Sequence, residues 1–339
     1  MWQEDGVRRE SDSRRDGKEK SPETGRTSNW GSTSNSEKNG MQTRSIETSV
    51  ESGIEGRMLP GEGSAAADPL AERYARDGYL APFRVLSAEE AGGNWQRMQA
   101  LREERPEDAA TAFSFNPHYL LPWLYDLARH PRILDKVERV LGPDILVWST
   151  GFFSKKPHDP SYVSWHQDST YWGLEPPDIV SAWVAFTPSR RANGCMRVVP
   201  GTHALGQIEH VDGFADGNLL SRGQEVQVDV DEADAVDLEL EPGEMSLHHV
   251  RIVHGSNPNP TDVPRIGFVV RYIATHCRQI GGRTPAALVR GEDRYGHFDP
   301  LPCPREEFDP EARAVYDAAT PVLRSILFRG AAQGPRKPS

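Results

Sequence analysis

The segment Ser164-Trp165-His166-Gln167-Asp168 sets an imidazole and a carboxylate two residues apart. On an extended chain an i, i+2 pair points to one face. Imidazole with carboxylate suits a borderline first-row ion such as Fe(II), Zn or Mn. A lone His-x-Asp is more often structural than metal-binding. This one gains weight from His254-Gly255-Ser256, which lies 88 residues further on beside another expected strand. Two histidines and one carboxylate on facing strands of a jelly roll make a facial triad that leaves three metal positions open. Arg265 then follows His254 by 11 residues, across a turn at 257–264. A hairpin of that length puts it on the neighbouring strand, near the metal. A guanidinium inside a barrel needs a carboxylate for its fork. If the chain supplies no acid, an acidic cosubstrate does.

Such a site requires a β-rich scaffold, and the text after Pro143 has a period of two. Strands are expected at 145–155, 180–186, 196–199, 226–230, 236–240, 245–248 and 266–274. Asn193-Gly194 is a hairpin-turn signal. Helices precede the strands. Asp68-Pro69 reads as N-cap and first position of a helix ending at Asp77-Gly78. The stretch 79–86 then looks extended, and Ser87-Ala88-Glu89-Glu90 is a capping box for a helix reaching about Glu104. Further helices are expected at 120–127 and 132–141. A last one begins at Asp309-Pro310, runs to about Arg329, and breaks or restarts at Thr320-Pro321. The fold class is therefore mainly β with flanking helices: a β-sandwich or jelly roll with a helical flank.

Composition divides the 339 residues unevenly. Residues 1–60 hold ten residues of the AVILMFWYC class and no Phe, Tyr, Ala or Cys. They carry 10 Lys+Arg against 11 Asp+Glu, so the remainder has 29 against 39 and nearly all of the −11 charge. A stretch so poor in apolar side chains cannot offset the entropy of ordering itself. The expected division is a disordered extension at 1–64 and one domain at 65–335. Met1, Met41 and Met58 are each candidate start codons in that extension. Its interleaved acids cancel its basic pairs, which argues for a solvated, dispensable segment. No run approaches the apolar length of a bilayer span, and no secretory signal is visible. The acidic balance argues against a broad nucleic-acid surface. Cys195, Cys277 and Cys303, with no close pair, form neither a zinc knuckle nor a disulfide framework. A reducing cytoplasmic setting is expected, and the oligomeric state stays open.

Taken together, Trp165-His166-Gln167-Asp168, Ala182-Trp183, Asn193-Gly194-Cys195-Met196, Val199-Pro200-Gly201-Thr202-His203, and His254-Gly255-Ser256 with Arg265 resemble the phytanoyl-CoA dioxygenase family of Fe(II)/2-oxoglutarate oxygenases. The resemblance covers roughly 68–275. It implies a double-stranded β-helix of cupin-like type, with His166, Asp168 and His254 as iron ligands. It further implies that Arg265 holds the distal carboxylate of 2-oxoglutarate, with Ser256 and Trp183 in contact with this cosubstrate. The implied reaction consumes O2, releases succinate and CO2, and hydroxylates a C–H bond of a small molecule. Halogenating relatives replace the carboxylate with a small residue, so Asp168 favours hydroxylation over chlorination. A desaturase or epoxidase using the same centre, a jelly roll that binds metal or ligand without turnover, and a cupin-like Zn or Mn enzyme are the alternatives.

Several neighbours carry weaker expectations. Tyr171 and Trp172 are candidates for the substrate wall, and Arg271, six residues after Arg265, for an anionic group on the substrate. Lys155 and Lys156 alternate, so one faces inward, and Lys156 is the candidate contact. His248 and His249 read as buried, hydrogen-bonded histidines, His203 as a turn residue, and Trp148 as barrel filling.

Overall fold

The computed structural model describes residues 68–228 and 230–331. The expected extension at 1–64 and its candidate start codons lie outside the described residues. So do 65–67 and 332–335 of the expected domain. The described residues belong to one folded unit, Glu62–Ser339.

The chain enters through helices. The first, α1 (Pro69–Asp77), is capped by the Asp68 carboxylate, which accepts from the Leu70 N–H at 2.9 Å. Strand β1 (Tyr79–Arg84) follows, then α2 (Ala88–Glu104), whose capping box between Ser87 and Glu90 forms as the sequence implies. Three more helices, α3 (Pro106–Ser114), α4 (Pro122–Ala128) and α5 (Pro131–Leu141), lead into the strands. In chain order these are β2 (Ile145–Lys155), β3 (Val163–His166), β4 (Ile179–Ala185), β5 (Met196–Val199), β6 (Val236–Leu238), β7 (Glu244–His249), β8 (Val253–Ser256), β9 (Arg265–Ala274), β10 (Pro285–Arg290) and β11 (Asp299–Pro300). Helix α6 (Pro310–Leu327) ends the described chain.

Two sheets result. The larger has seven strands in the order β1-β7-β4-β9-β2-β10-β11, and the smaller has four, β3-β8-β5-β6. From β2 to β9 the chain alternates between them, apart from β5 and β6, which both lie in the small sheet: β7 belongs to the large sheet, β8 to the small one, and β9 to the large one again. That is jelly-roll winding, as expected. The helical flank packs on the outer face of the large sheet. Ile133, Leu134 and Val137 of α5 share one buried cluster with Val147, Val184, Phe268 and Tyr272.

Two local expectations change. Asn193-Gly194 does not close a hairpin, because β4 and β5 lie in different sheets. It ends a 3₁₀ turn, Arg191–Asn193, that carries the chain across the sandwich. Gly194 has φ +75°, and a Cβ there would stand 2.2 Å from the Asn257 carbonyl oxygen, so the crossing requires glycine. The break expected at Thr320-Pro321 is also absent. Helix α6 continues through Pro321, which is exposed, while Tyr316, Ala319, Leu323 and Ile326 hold the helix down on both sides. Packing outweighs one missing N–H. No helix among the described residues is long and apolar enough to cross a membrane.

Candidate active site

The small sheet sets two histidines side by side. β3 and β8 are antiparallel neighbours with His166 directly opposite His254, so both rings leave the same face, 4.1 Å apart. The Nδ1 of His166 lies 2.9 Å from the Ser164 carbonyl and 3.0 Å from that of His254; the Nδ1 of His254 lies 3.0 Å from the Ile252 carbonyl. Carbonyls only accept, so each Nδ1 carries the proton and each Nε2 keeps its lone pair. Asp168 follows β3 as the first residue of a 3₁₀ turn and turns its carboxylate to the same place, 3.4 Å from His166 Nε2. All three side chains are buried, and one donor atom from each lies within 4.8 Å of the others.

Gln167, between the two ligand candidates, holds this turn. Its Oε1 accepts from the Ile208 N–H at 2.8 Å, and its Nε2 donates to the carbonyls of Gly206 and Arg251 at 2.9 and 2.7 Å. Its own N–H donates to His210 Nε2 at 2.8 Å. Alternation alone signals such a role: if 166 and 168 face the site, 167 must be buried behind it.

Electrostatics keep the three donors ready for a cation. Burial pushes the Asp168 carboxyl up, but the histidines gathered around it, His166 and His248 first and then His254, outweigh burial and hold it well below the usual range. Burial, followed by the nearby His166, holds His254 well below its usual value, so it stays neutral. An ionised carboxylate and imidazole Nε2 lone pairs are what metal binding demands. The set fits a divalent first-row ion with open positions. His248 is close without joining it, its Nε2 3.8 Å from Asp168 Oδ2.

The large sheet supplies the opposite wall of the same cavity. Arg265 opens β9 there. It is therefore not on a strand paired with that of His254, as hairpin spacing implied, but faces it across the sandwich. Arg265 is 2% exposed, and its Nε and Nη2 have no partner. Its guanidinium sits 5.4 Å from the Trp183 ring centre, and the buried Trp183 Nε1 is likewise without a partner. A buried cation with idle donors calls for an anion.

Of the two alternating lysines, Lys155 is the buried one, and Lys156 is exposed and lines neither cavity of the site. Lys155 lies opposite Arg265 across the β2–β9 pair. Its Nζ donates to Ser256 Oγ at 2.7 Å and to the Asn257 carbonyl. An ammonium has no acceptor, so the Ser256 hydroxyl keeps its own proton to donate into the cavity. Burial, and then the Arg265 charge, push the Lys155 amine down to about 7.

A second, larger chamber of about 630 Å³ shares Phe153, Asp168 and Arg271 with the first. Trp172 lines it and packs at a tilt against Trp148, their ring centres 5.2 Å apart. Trp148 is thus chamber wall as well as filling. Tyr171 turns away: the Arg222 guanidinium lies 3.6 Å over its ring and is bonded to Asp212. Helices α2 and α6 contribute Arg102 and Arg324 to this chamber, residues that strand periodicity gives no reason to single out.

A family model described as phytanoyl-CoA dioxygenase matches residues 74–267. The peroxisomal phytanoyl-CoA dioxygenase of Homo sapiens is 31% identical over 154 residues, 44% of this chain and 46% of that protein. The chain spans about half the length of the curated relatives it matches first. Among solved structures, a non-heme monooxygenase described as ThoJ in its apo form is 36% identical with a TM-score of 0.69, covering 76% of this chain and 97% of that one. CytC3 with Fe(II) and alpha-ketoglutarate, 24% identical with a TM-score of 0.53 over 68% of this chain and 91% of that one, shares the fold.

Proposed function

The chain belongs to the phytanoyl-CoA dioxygenase family, and from that premise we propose an Fe(II)- and 2-oxoglutarate-dependent dioxygenase that hydroxylates a small molecule with O2, releasing succinate and CO2. One observation carries the reading. The buried, partnerless guanidinium of Arg265 faces the same cavity as the donor atoms of His166, Asp168 and His254. One face of that cavity takes a metal cation and the other an anion, so a 2-oxo diacid that chelates the metal by one end can offer its second carboxylate to Arg265.

Each side chain then has a task. His166, Asp168 and His254 would hold the iron, which would supply the redox chemistry when bound. Arg265 grips the distal carboxylate of 2-oxoglutarate, and the Ser256 hydroxyl and Trp183 N–H donate toward it. Val163, Met196 and Val269 line the same space and exclude water. Asp168 occupies with an oxygen the position where a halide would otherwise sit, which supports hydroxylation over halogenation. The unpaired cysteines Cys195, Cys277 and Cys303 support a reducing intracellular setting.

The test is succinate release. Fe(II)-loaded protein with 2-oxoglutarate and O2 should form succinate, and the Asp168→Ala protein should not. Equal succinate from both would refute the reading.

A further inference from the structure

The large chamber has a charge character at odds with the rest of the molecule. The body of the chain is acidic, yet the chamber is lined by Arg102, Arg271 and Arg324 and by one acid, Asp168, which the iron site already uses. Arginines elsewhere are mostly neutralised by carboxylates: Arg222 by Asp212, Arg197 by Glu232, and Arg290 by Asp135 and Glu138. No ion pair or side-chain hydrogen bond to a carboxylate engages Arg102, Arg271 or Arg324 among the described residues. The Nε of Arg271 is buried without a partner.

Arg271 also has the decisive position. It lines both the iron cavity and the chamber, so it stands where the two meet. Its guanidinium is braced 4.9 Å over the Trp172 ring. Trp172 is braced in turn, because Gln279 donates to its carbonyl at 2.6 Å and accepts from Trp148 Nε1 at 2.9 Å. The remaining wall is mixed: Phe113, Phe115 and Phe152 form an aromatic side with the two tryptophans, and hydroxyl and amide side chains such as Thr150, Asn218 and Gln224 line the rest. A volume near 630 Å³ lies within the range of small-molecule sites.

Resting on the oxygenase reading of this site, we propose that the chamber binds an organic anion with a flat apolar body, and that Arg271 takes the anionic group at the neck. The carbon oxidised then lies within a few bonds of that group, because Arg271 and Asp168 share the neck. Arg102 and Arg324 reinforce the attraction from the helical side.

The test is calorimetric titration of Fe(II)-loaded protein, kept free of O2 and saturated with 2-oxoglutarate. Three probes of one shape are compared: naphthalene-2-carboxylate, 2-naphthyl phosphate and the neutral 2-naphthamide. A charge-assisted contact predicts that the better anion binds about tenfold or more tighter than the amide. The tighter of the two anions identifies the preferred headgroup. Arg271→Gln should reduce the preference to about twofold or less, while Arg271→Lys, which keeps the charge, retains part of it. Equal binding of amide and anions, or no binding of either anion at millimolar concentration, overturns the proposal. An Arg271→Gln protein that keeps the anion preference, or that loses 2-oxoglutarate affinity instead, overturns it as well. The wild-type comparison needs no variant to fold, and none of these titrations involves turnover. Anion preference without metal-dependent succinate release would therefore overturn the oxygenase reading alone.

Discussion

Gly267→Ala tests the proposed cosubstrate wall from behind. Gly267 lies within β9 beside Trp183 of β4, and a Cβ added there would stand 1.8 Å from Trp183 Cζ2 and 2.0 Å from Cε2. Carbon atoms rest about 3.5 Å apart, so the indole must retreat by about 1.7 Å. Trp183 is 3% exposed and packed with Ala185, Leu240 and Val269, so the space open to it is the site cavity. Forcing one carbon into a packed core costs about 1–3 kcal/mol. At roughly 2–4 °C per kcal/mol for a domain of this size, the melting temperature should fall by about 2–12 °C. The same displacement moves the ring that flanks Arg265, so KM for 2-oxoglutarate should rise. Calorimetry and succinate kinetics measure the two effects. Trp183→Phe removes the outer ring atoms, so in that background the alanine should lose at least half its penalty. A Gly267→Ala protein with unchanged melting temperature and unchanged KM would refute the packing argument.

Lys155→Met should raise KM for 2-oxoglutarate about tenfold by removing the bond that orients Ser256; steady-state succinate release reads it, and an unchanged KM contradicts that role. His118, fully buried with Nδ1 2.7 Å from Thr150 Oγ1, is pushed down to about 3 by burial. The unfolded chain therefore takes up this proton first as pH falls through 6.5, and stability should drop toward pH 3 by up to about 1.4 kcal/mol per unit. His118→Asn should flatten that slope in urea titrations between pH 4 and 7, and an identical slope would count against the assignment. Gln167→Leu removes four part-buried hydrogen bonds behind the ligand turn; iron affinity measured by chelator competition should fall about tenfold or more, and unaltered affinity would show that the turn holds itself.

How much of this was legible in the sequence depends on how local the cause is. The spacing of His166 and Asp168 predicts a shared face, and the structure has it although Asp168 sits just beyond the strand, because one extended step suffices. Helix caps such as Asp68 and the Ser87–Glu90 box are equally local. Arg265 reaches the expected cavity by a different route. Chain spacing suggested a hairpin partner, but sheet membership is decided by long-range pairing, and β9 joins β4 and β2 instead of β8. The inward lysine could not be told from alternation without a fixed register, and the register selects Lys155. Helix α3 escaped notice despite Pro106 at its first position and Glu107 and Asp108 in its first turn, signals that local reading does contain. Arg102 and Arg324 lay beyond reach, since only tertiary packing brings α2 and α6 to one chamber.

The division of the site between two sheets makes it a measuring device. The small sheet holds the His166 and His254 end, and the large sheet holds Arg265 and Trp183, with Ser256 of the small sheet bonded across to Lys155 beside Arg265. The gap between the sheets is therefore a fixed jaw width, set by core side chains that never touch a ligand. A dicarboxylate one methylene shorter or longer than the five-carbon diacid should therefore bind more weakly. Core substitutions that change the sheet separation should then retune which chain length is accepted, while leaving iron affinity, which depends on one jaw alone, where it was.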